Sequence, residues 1–360
     1  MDVFDRLPEQ AEAKRLLRAA LAEGPAHAYL LHGPRGVGKQ EAARIFAGEL
    51  LGEPERVARG THPDLYLLEP VGDQIRIDDI RALRRDLHMR PFEAQRRVYL
   101  VLAADTLNED AADALLKDLE EPPSYAVIVL VADDLGPLPE TIRSRCQLVP
   151  FRRLSERAVR AAIEERAPDL PEDERTAIAR VAAGRLDRAW RLLDEAAARR
   201  RETLLSLARA VYLDPGFEPA DAAEALMEGI AERGAEACEA AEAKIGLLDL
   251  PERESEQRLR RAQRGAEREE LLAGLEELEA WYRDLVVVAA GAEEVVAHFD
   301  RLDELREDAT RERLLAAENA CELVRETWRR FEEFQLSAGL VLEALFVQLR
   351  RELAGPLVSA

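Results

Sequence analysis

The residues of this sequence best placed to do chemistry are Gly33-Pro34-Arg35-Gly36-Val37-Gly38-Lys39. Their spacing is G-x-x-x-x-G-K, between the apolar run Ala28–His32 and a helical pattern over residues 41–51. In that strand–loop–helix setting the glycines let backbone N–H groups converge on phosphate oxygens, and the helix N-terminus adds partial positive charge. The lysine of such a loop reaches the β- and γ-phosphates. Gly33, Gly36, Gly38, Lys39 and Gln40 are therefore the candidate nucleotide-binding residues, against the competing reading of a chance glycine-rich turn. Gln40 departs from the working pattern. A Ser or Thr hydroxyl belongs there as a Mg²⁺ ligand, and the tight octahedral shell of Mg²⁺ suits a longer amide side chain poorly.

A second loss lies further along. P-loop ATPases end a later strand with an acidic residue that holds Mg²⁺, often beside a Glu that activates water. Here that strand reads Val98-Tyr99-Leu100-Val101-Leu102-Ala103-Ala104-Asp105, so the expected pair falls on Leu102 and Ala103. Asp105 stands two residues beyond, in the turn to the next helix, where capping or solvation is the expected role. Nucleotide binding stays open, as ATP or ADP, and hydrolysis is not expected. No cofactor is required by this reading.

The elements that must position these residues alternate in type. Candidate strands at Ala28–His32, Leu65–Leu68, 98–102 and 127–132 are near-continuous apolar runs, as in a parallel sheet buried on both faces. The helix between the last two has Asn108 as N-cap, Ala111, Ala114, Leu115 and Leu119 on one face, and Pro122-Pro123 as its stop. From about residue 152 the strands vanish and short helices follow, over 155–165, 172–183 and 186–198. From about 202 onward the chain is rich in Glu, Arg, Ala and Leu and helical throughout. One stripe carries Leu271, Leu275, Leu278, Tyr282 and Leu285, and a second carries Leu340, Leu342, Leu345, Phe346 and Leu349. The polar stretch 251–268 reads either as a solvated helix or as a flexible connection. The expected division is 1–151, an α/β P-loop domain with a parallel sheet; 152–201, a small helical lid; and 202–360, an all-α domain.

Composition excludes several classes. A chain of 360 residues with 47% hydrophobic content holds more than one core and is not generally disordered. With 51 basic against 72 acidic residues the net charge is −21, opposite to a protein that grips DNA unaided. The three cysteines, Cys146, Cys238 and Cys321, are far apart, so no zinc site or disulfide framework is encoded. The acidic start lacks the order of a signal peptide. Apolar runs fall short of the ~18 residues of a membrane span. A cytoplasmic protein is the expectation.

Five segments carry a resemblance to a known family. They are His27-Ala28-Tyr29-Leu30-Leu31, His62-Pro63-Asp64, Ile75-Arg76-Ile77-Asp78-Asp79-Ile80-Arg81, Ala114-Leu115-Leu116-Lys117-Asp118-Leu119-Glu120-Glu121-Pro122-Pro123 and Thr141-Ile142-Arg143-Ser144-Arg145-Cys146. Together they resemble the AAA+ clamp-loader family of bacterial DNA polymerase III, its delta-prime branch in particular, with the gamma/tau subunit as the ATP-hydrolysing relative. The resemblance implies that Arg145 projects in trans toward ATP on a neighbouring subunit, where a guanidinium neutralises charge in phosphoryl transfer. The competing reading of Arg145 is an ordinary surface ion pair.

The resemblance also implies gamma/tau and delta subunits as partners, with the sliding clamp and primer–template DNA engaged indirectly. It further implies a C-terminal helical collar that closes the ring. Within the resemblance, Gln40, Leu102, Ala103 and Asp133 together place this chain nearer delta-prime than the ATP-hydrolysing gamma/tau subunit. The four-cysteine zinc module of many relatives is absent from residues 52–61. The first nucleotide-sensing position falls near Ala132-Asp133, and the second near Asp187, flanked by Arg185 and Arg188. The competing functions are an ATP-hydrolysing gamma/tau-type subunit or other active P-loop ATPase, and a free DNA-binding protein.

Overall fold

A computed structural model describes residues 3–70, 74–245, 252–334 and 336–354. The chain falls into two compact units, one of residues 1–175 and 182–188, the other of residues 176–181 and 189–360. The short helices after residue 152 are thus divided between the two.

The first unit is built on five parallel strands, β1 (Ala28–His32), β2 (Leu65–Leu68), β3 (Arg97–Val101), β4 (Ala126–Ala132) and β5 (Gln147–Pro150). Their order is β2-β3-β4-β1-β5. The central strands β1 and β4, and β3 beyond Arg97, are apolar and buried on both faces because helices cover both. One face carries Tyr29, Leu31, Val98, Leu100, Val127 and Val129 against Leu17 of α1 (Ala11–Glu23) and Phe46 of α2 (Lys39–Leu51). The short α3 (Pro54–Ala58) adds Val57 to that core. Ala28, Leu30, Tyr99, Val101, Ile128 and Leu130 point to the other face. They meet Ile80 and Leu83 of α4 (Ile77–Leu87) and Leu115 and Leu119 of α5 (Glu109–Glu120).

The expected strand positions hold to within a residue, with β5 added at the edge. Asn108 caps α5 as expected, its Oδ1 accepting the Ala111 N–H at 3.0 Å. A single turn, α6 (Glu140–Arg143), then leads into Ser144-Arg145-Cys146 and β5. The unit continues through α7 (Glu156–Arg166) and the first part of α8 (Glu172–Val181).

The helix expected over 186–198 is two helices. Asp194 ends α9 (Leu186–Leu193), and its carboxylate accepts the Ala197 N–H at 2.8 Å as the N-cap of α10 (Glu195–Leu213). The second unit continues with α11 (Pro219–Ile245), α12 (Glu252–Ala289), α13 (Leu302–Asp308), α14 (Leu314–Glu333) and α15 (Ala338–Ala354). Residues 252–268, left open between helix and connection, are the solvated first half of α12; Pro251 lies outside the described residues. The stripe from Leu271 to Leu285 is buried throughout. On α15, Leu342, Leu345, Phe346 and Leu349 are buried, whereas Leu340 is 69% exposed. Leu340 stands in the first turn of that helix, two residues before the buried stripe begins. Among the described residues no helix is long and apolar enough to cross a membrane.

Candidate functional site

The loop after β1 lies at the carboxyl ends of the strands, where open α/β sheets place ligands. The register Ala28↔Ile128 to His32↔Ala132 sets the first residue after β4 beside the first residue of the loop. Asp133 thereby faces Lys39. Gly33, Gly36, Gly38 and Lys39 form one cradle, and Gln40 is exposed on the first turn of α2. Gly36 has φ +71°, and a Cβ there would fall 1.8 Å from the Asp187 Oδ1 atom. The Leu186 N–H donates to the Gly36 carbonyl at 2.7 Å. The start of α9 is therefore seated on the loop.

The Lys39 side chain is 3% exposed. Its Nζ donates to the Gly33 and Pro34 carbonyls at 2.6 and 2.5 Å and pairs with Asp133 Oδ1 at 2.8 Å. Asp133 thus supplies the charge that balances this buried ammonium. Asp187 sets a second negative charge beside the loop. Burial would push its pKa up, but bonds from Arg185 at 3.2 and 2.9 Å, with Arg35 at 3.4 Å, hold it below the usual carboxylate range. Two arginines beside the loop are thereby engaged by a carboxylate.

The catalytic side of the site is apolar. Leu102 is buried and donates its N–H to Leu68, and Ala103 takes a left-handed φ of +52° as the chain turns. Asp105 leans toward its protonated form through burial first, then the nearby charge of Asp133. Its Oδ1 is buried without a hydrogen-bond partner among the described residues.

Gln10 is a member of this site that no motif marks. It is 8% exposed, and its amide bonds the Val37 carbonyl at 3.3 Å and both backbone groups of Arg152, at 2.7 and 3.0 Å. It ties the loop to the end of β5 across 142 residues of sequence, and a contact that distant leaves no local signal.

Arg145 lies apart from the loop, after α6. Its Nη1 donates to the Thr141 carbonyl at 2.8 Å and its Nη2 to the Glu120 carboxylate at the end of α5. Cys146 is half-buried against the sheet, its thiol pushed up to about 12 by burial.

Near the segment where relatives carry a cysteine module, Glu53, His62 and Glu93 each bring one ligand atom within 4.8 Å of the others. They do not fit a zinc ion. The Arg56 guanidinium already bridges the two carboxylates at 2.8 and 2.7 Å. The His62 Nδ1 accepts the Asp64 N–H at 3.1 Å, which leaves the proton of the neutral ring on Nε2.

Residues 9–155 match the family model described as DNA polymerase III, delta subunit. The delta-prime subunit of Bacillus subtilis is 36% identical over 145 residues, covering 37% of this chain and 44% of that one. The delta-prime subunit of Pseudomonas aeruginosa is 40% identical over 136 residues, 34% and 42% of the two chains. Residues 9–155 are thus similar to the delta-prime and gamma/tau subunits of DNA polymerase III. The tau subunit of B. subtilis shares 30% identity over 209 residues, 53% of this chain and 37% of that one. This chain thus spans less than half the length of these polymerase III relatives. A solved gamma subunit-related protein of Thermotoga maritima aligns over 95% of this chain and 99% of its own, at 18% identity and a TM-score of 0.45.

Proposed function

We propose that this chain is a delta-prime-like subunit of a DNA polymerase III clamp loader, inactive as an ATPase on its own. In this reading it is a structural member of a ring with gamma/tau and delta subunits, in the cytoplasm. It lends Arg145 to a neighbour's ATP site while the ring loads the sliding clamp on primed DNA. The three-part division at residues 151 and 201 then corresponds to nucleotide-binding domain, lid and collar.

The observation that carries the inactive reading is the state of Lys39. An ammonium already bonded to Asp133 and two loop carbonyls needs no phosphate for neutrality. Triphosphate would have to displace that carboxylate and approach the charge of Asp187. Gln40, Leu102 and Ala103 supply neither the metal hydroxyl ligand nor the metal carboxylate and base, so two terms that lower the barrier are missing. ATP or ADP binding without turnover is compatible with the cradle. The test is Mg²⁺-dependent ATP turnover by the purified chain beside its Lys39→Ala variant. The expected result is no difference above background, and turnover abolished by the substitution would overturn the reading. A gamma/tau-type ATPase is the second reading, favoured by the intact G-x-x-x-x-G-K and the longer match to the B. subtilis tau subunit. The same assay decides between them.

A further inference from the structure

We propose that Glu120 is a positioning residue for Arg145, holding its guanidinium at the reach that a neighbouring subunit's γ-phosphate requires. This rests on the trans role proposed for Arg145 above. Arg145 is held from two elements. The Thr141 carbonyl of α6 and, at 3.4 Å, the Ser144 Oγ take Nη1 protons, and the Glu120 carboxylate takes one from Nη2. A guanidinium has five N–H donors in a rigid plane. Those three contacts leave the Nε–H and one Nη2 proton without a partner among the described residues. Two unspent donors in a fixed plane are what two oxygens of a phosphate take up.

The placement of Glu120 favours rigidity. It is the last residue of α5, just before Glu121-Pro122-Pro123, and its helix is anchored by the buried Leu115 and Leu119. The negative end of the helix dipole adds to its charge in attracting the guanidinium. The two side chains are 33% and 49% exposed, so the pair contributes little to stability. Its consequence is orientational: a long side chain otherwise free among rotamers is confined to one direction before the neighbour arrives.

The experiment is steady-state ATP hydrolysis by the complex reconstituted with gamma/tau and delta subunits, carrying Glu120→Ala, Glu120→Gln, Arg145→Ala or the Glu120→Ala/Arg145→Ala double substitution. Complex mass is measured in each case. Glu120→Ala is expected to lower kcat toward the value of the Arg145→Ala complex, as misplacement of a transition-state group does, with KM for ATP unchanged. Glu120→Gln keeps an acceptor at the same reach and should recover most of the rate. The double variant should be no slower than Arg145→Ala alone, because the two residues act as one unit. If Arg145→Ala slows hydrolysis and Glu120→Ala does not, positioning by Glu120 is overturned while the trans role stands. A faster Glu120→Ala complex would show a carboxylate competing with phosphate, and overturns it as well. If Arg145→Ala itself leaves the rate unchanged, the trans role fails first.

Discussion

At the scale of single residues, two buried groups show how the chain holds charge in its interior. In the helical unit His298 is fully buried, with Nδ1 2.8 Å from Asp284 Oδ2 and Nε2 3.2 Å from Glu277 Oε1. Arg201 also bonds Glu277, Arg283 also bonds Asp284, and the Trp281 ring packs edge-on to the imidazole. Burial alone would lower the His298 pKa, but the two carboxylates outweigh it and raise the value above that of free imidazole. A raised folded value means stability fully present below the unfolded pKa, about 6.5, and lost as pH rises through the folded value. Replacing His298 with Gln is therefore expected to cost about 1–3 kcal/mol at pH 6, by removing the cation that the two buried carboxylates share and leaving each with its arginine alone. The difference from the natural chain should shrink toward pH 9. Thermal unfolding at both pH values checks it, and a pH-independent difference would contradict it. In the other unit Asp64, fully buried, accepts the N–H groups of Phe92, Glu93 and Ala94 at 2.7, 2.9 and 2.9 Å. Asp64→Ala should destabilise by about 3 kcal/mol, read from urea unfolding, because it strands three donors at once.

At the scale of elements, what the sequence disclosed follows how local each cause is. The P-loop setting, four of the five strands and the Asn108 cap rest on neighbours within a few residues, so they were legible. The edge strand β5 was not, because Gln147 and Leu148 are exposed and only Val149 is fully buried, which leaves no apolar run to read. The break at Asp194 was hidden because Ala and Leu continue on both sides and one capping carboxylate makes the difference. Asp194→Ala is expected to cost about 1 kcal/mol, the usual worth of an N-cap, measured in the unfolding of the full chain. A loss below a few tenths would mean that packing alone ends α9. In the candidate site the order of residues was legible but the pairing was not. The resemblance draws the eye to Asp133 and Asp187 as positions near the nucleotide, yet the Lys39–Asp133 bond depends on strand register. The Asp187 seat on Gly36 joins positions 151 residues apart.

At the scale of the whole molecule, a net charge of −21 and a P-loop engaged with its own carboxylates both point away from independent action. The isolated chain is expected to show no tight, salt-sensitive binding to duplex DNA in a mobility shift at physiological ionic strength. Such binding would revive the reading of a free DNA-binding protein. The helical unit has a core of its own and is assigned no chemistry, and its proposed role is assembly. A chain ending at Asp194, where the helix breaks, should fail to enter the complex, whereas a cut near residue 205 would bisect α10. Retained assembly by the shortened chain would remove the collar from the account. The central claim is that this subunit completes another subunit's active site, and it is tested most directly by ATP hydrolysis in the assembled complex carrying Arg145→Ala. The account predicts an intact complex by mass with hydrolysis clearly reduced, by less than the full worth of an arginine finger because other sites in the ring keep theirs. An intact complex that hydrolyses ATP at the unaltered rate would contradict it.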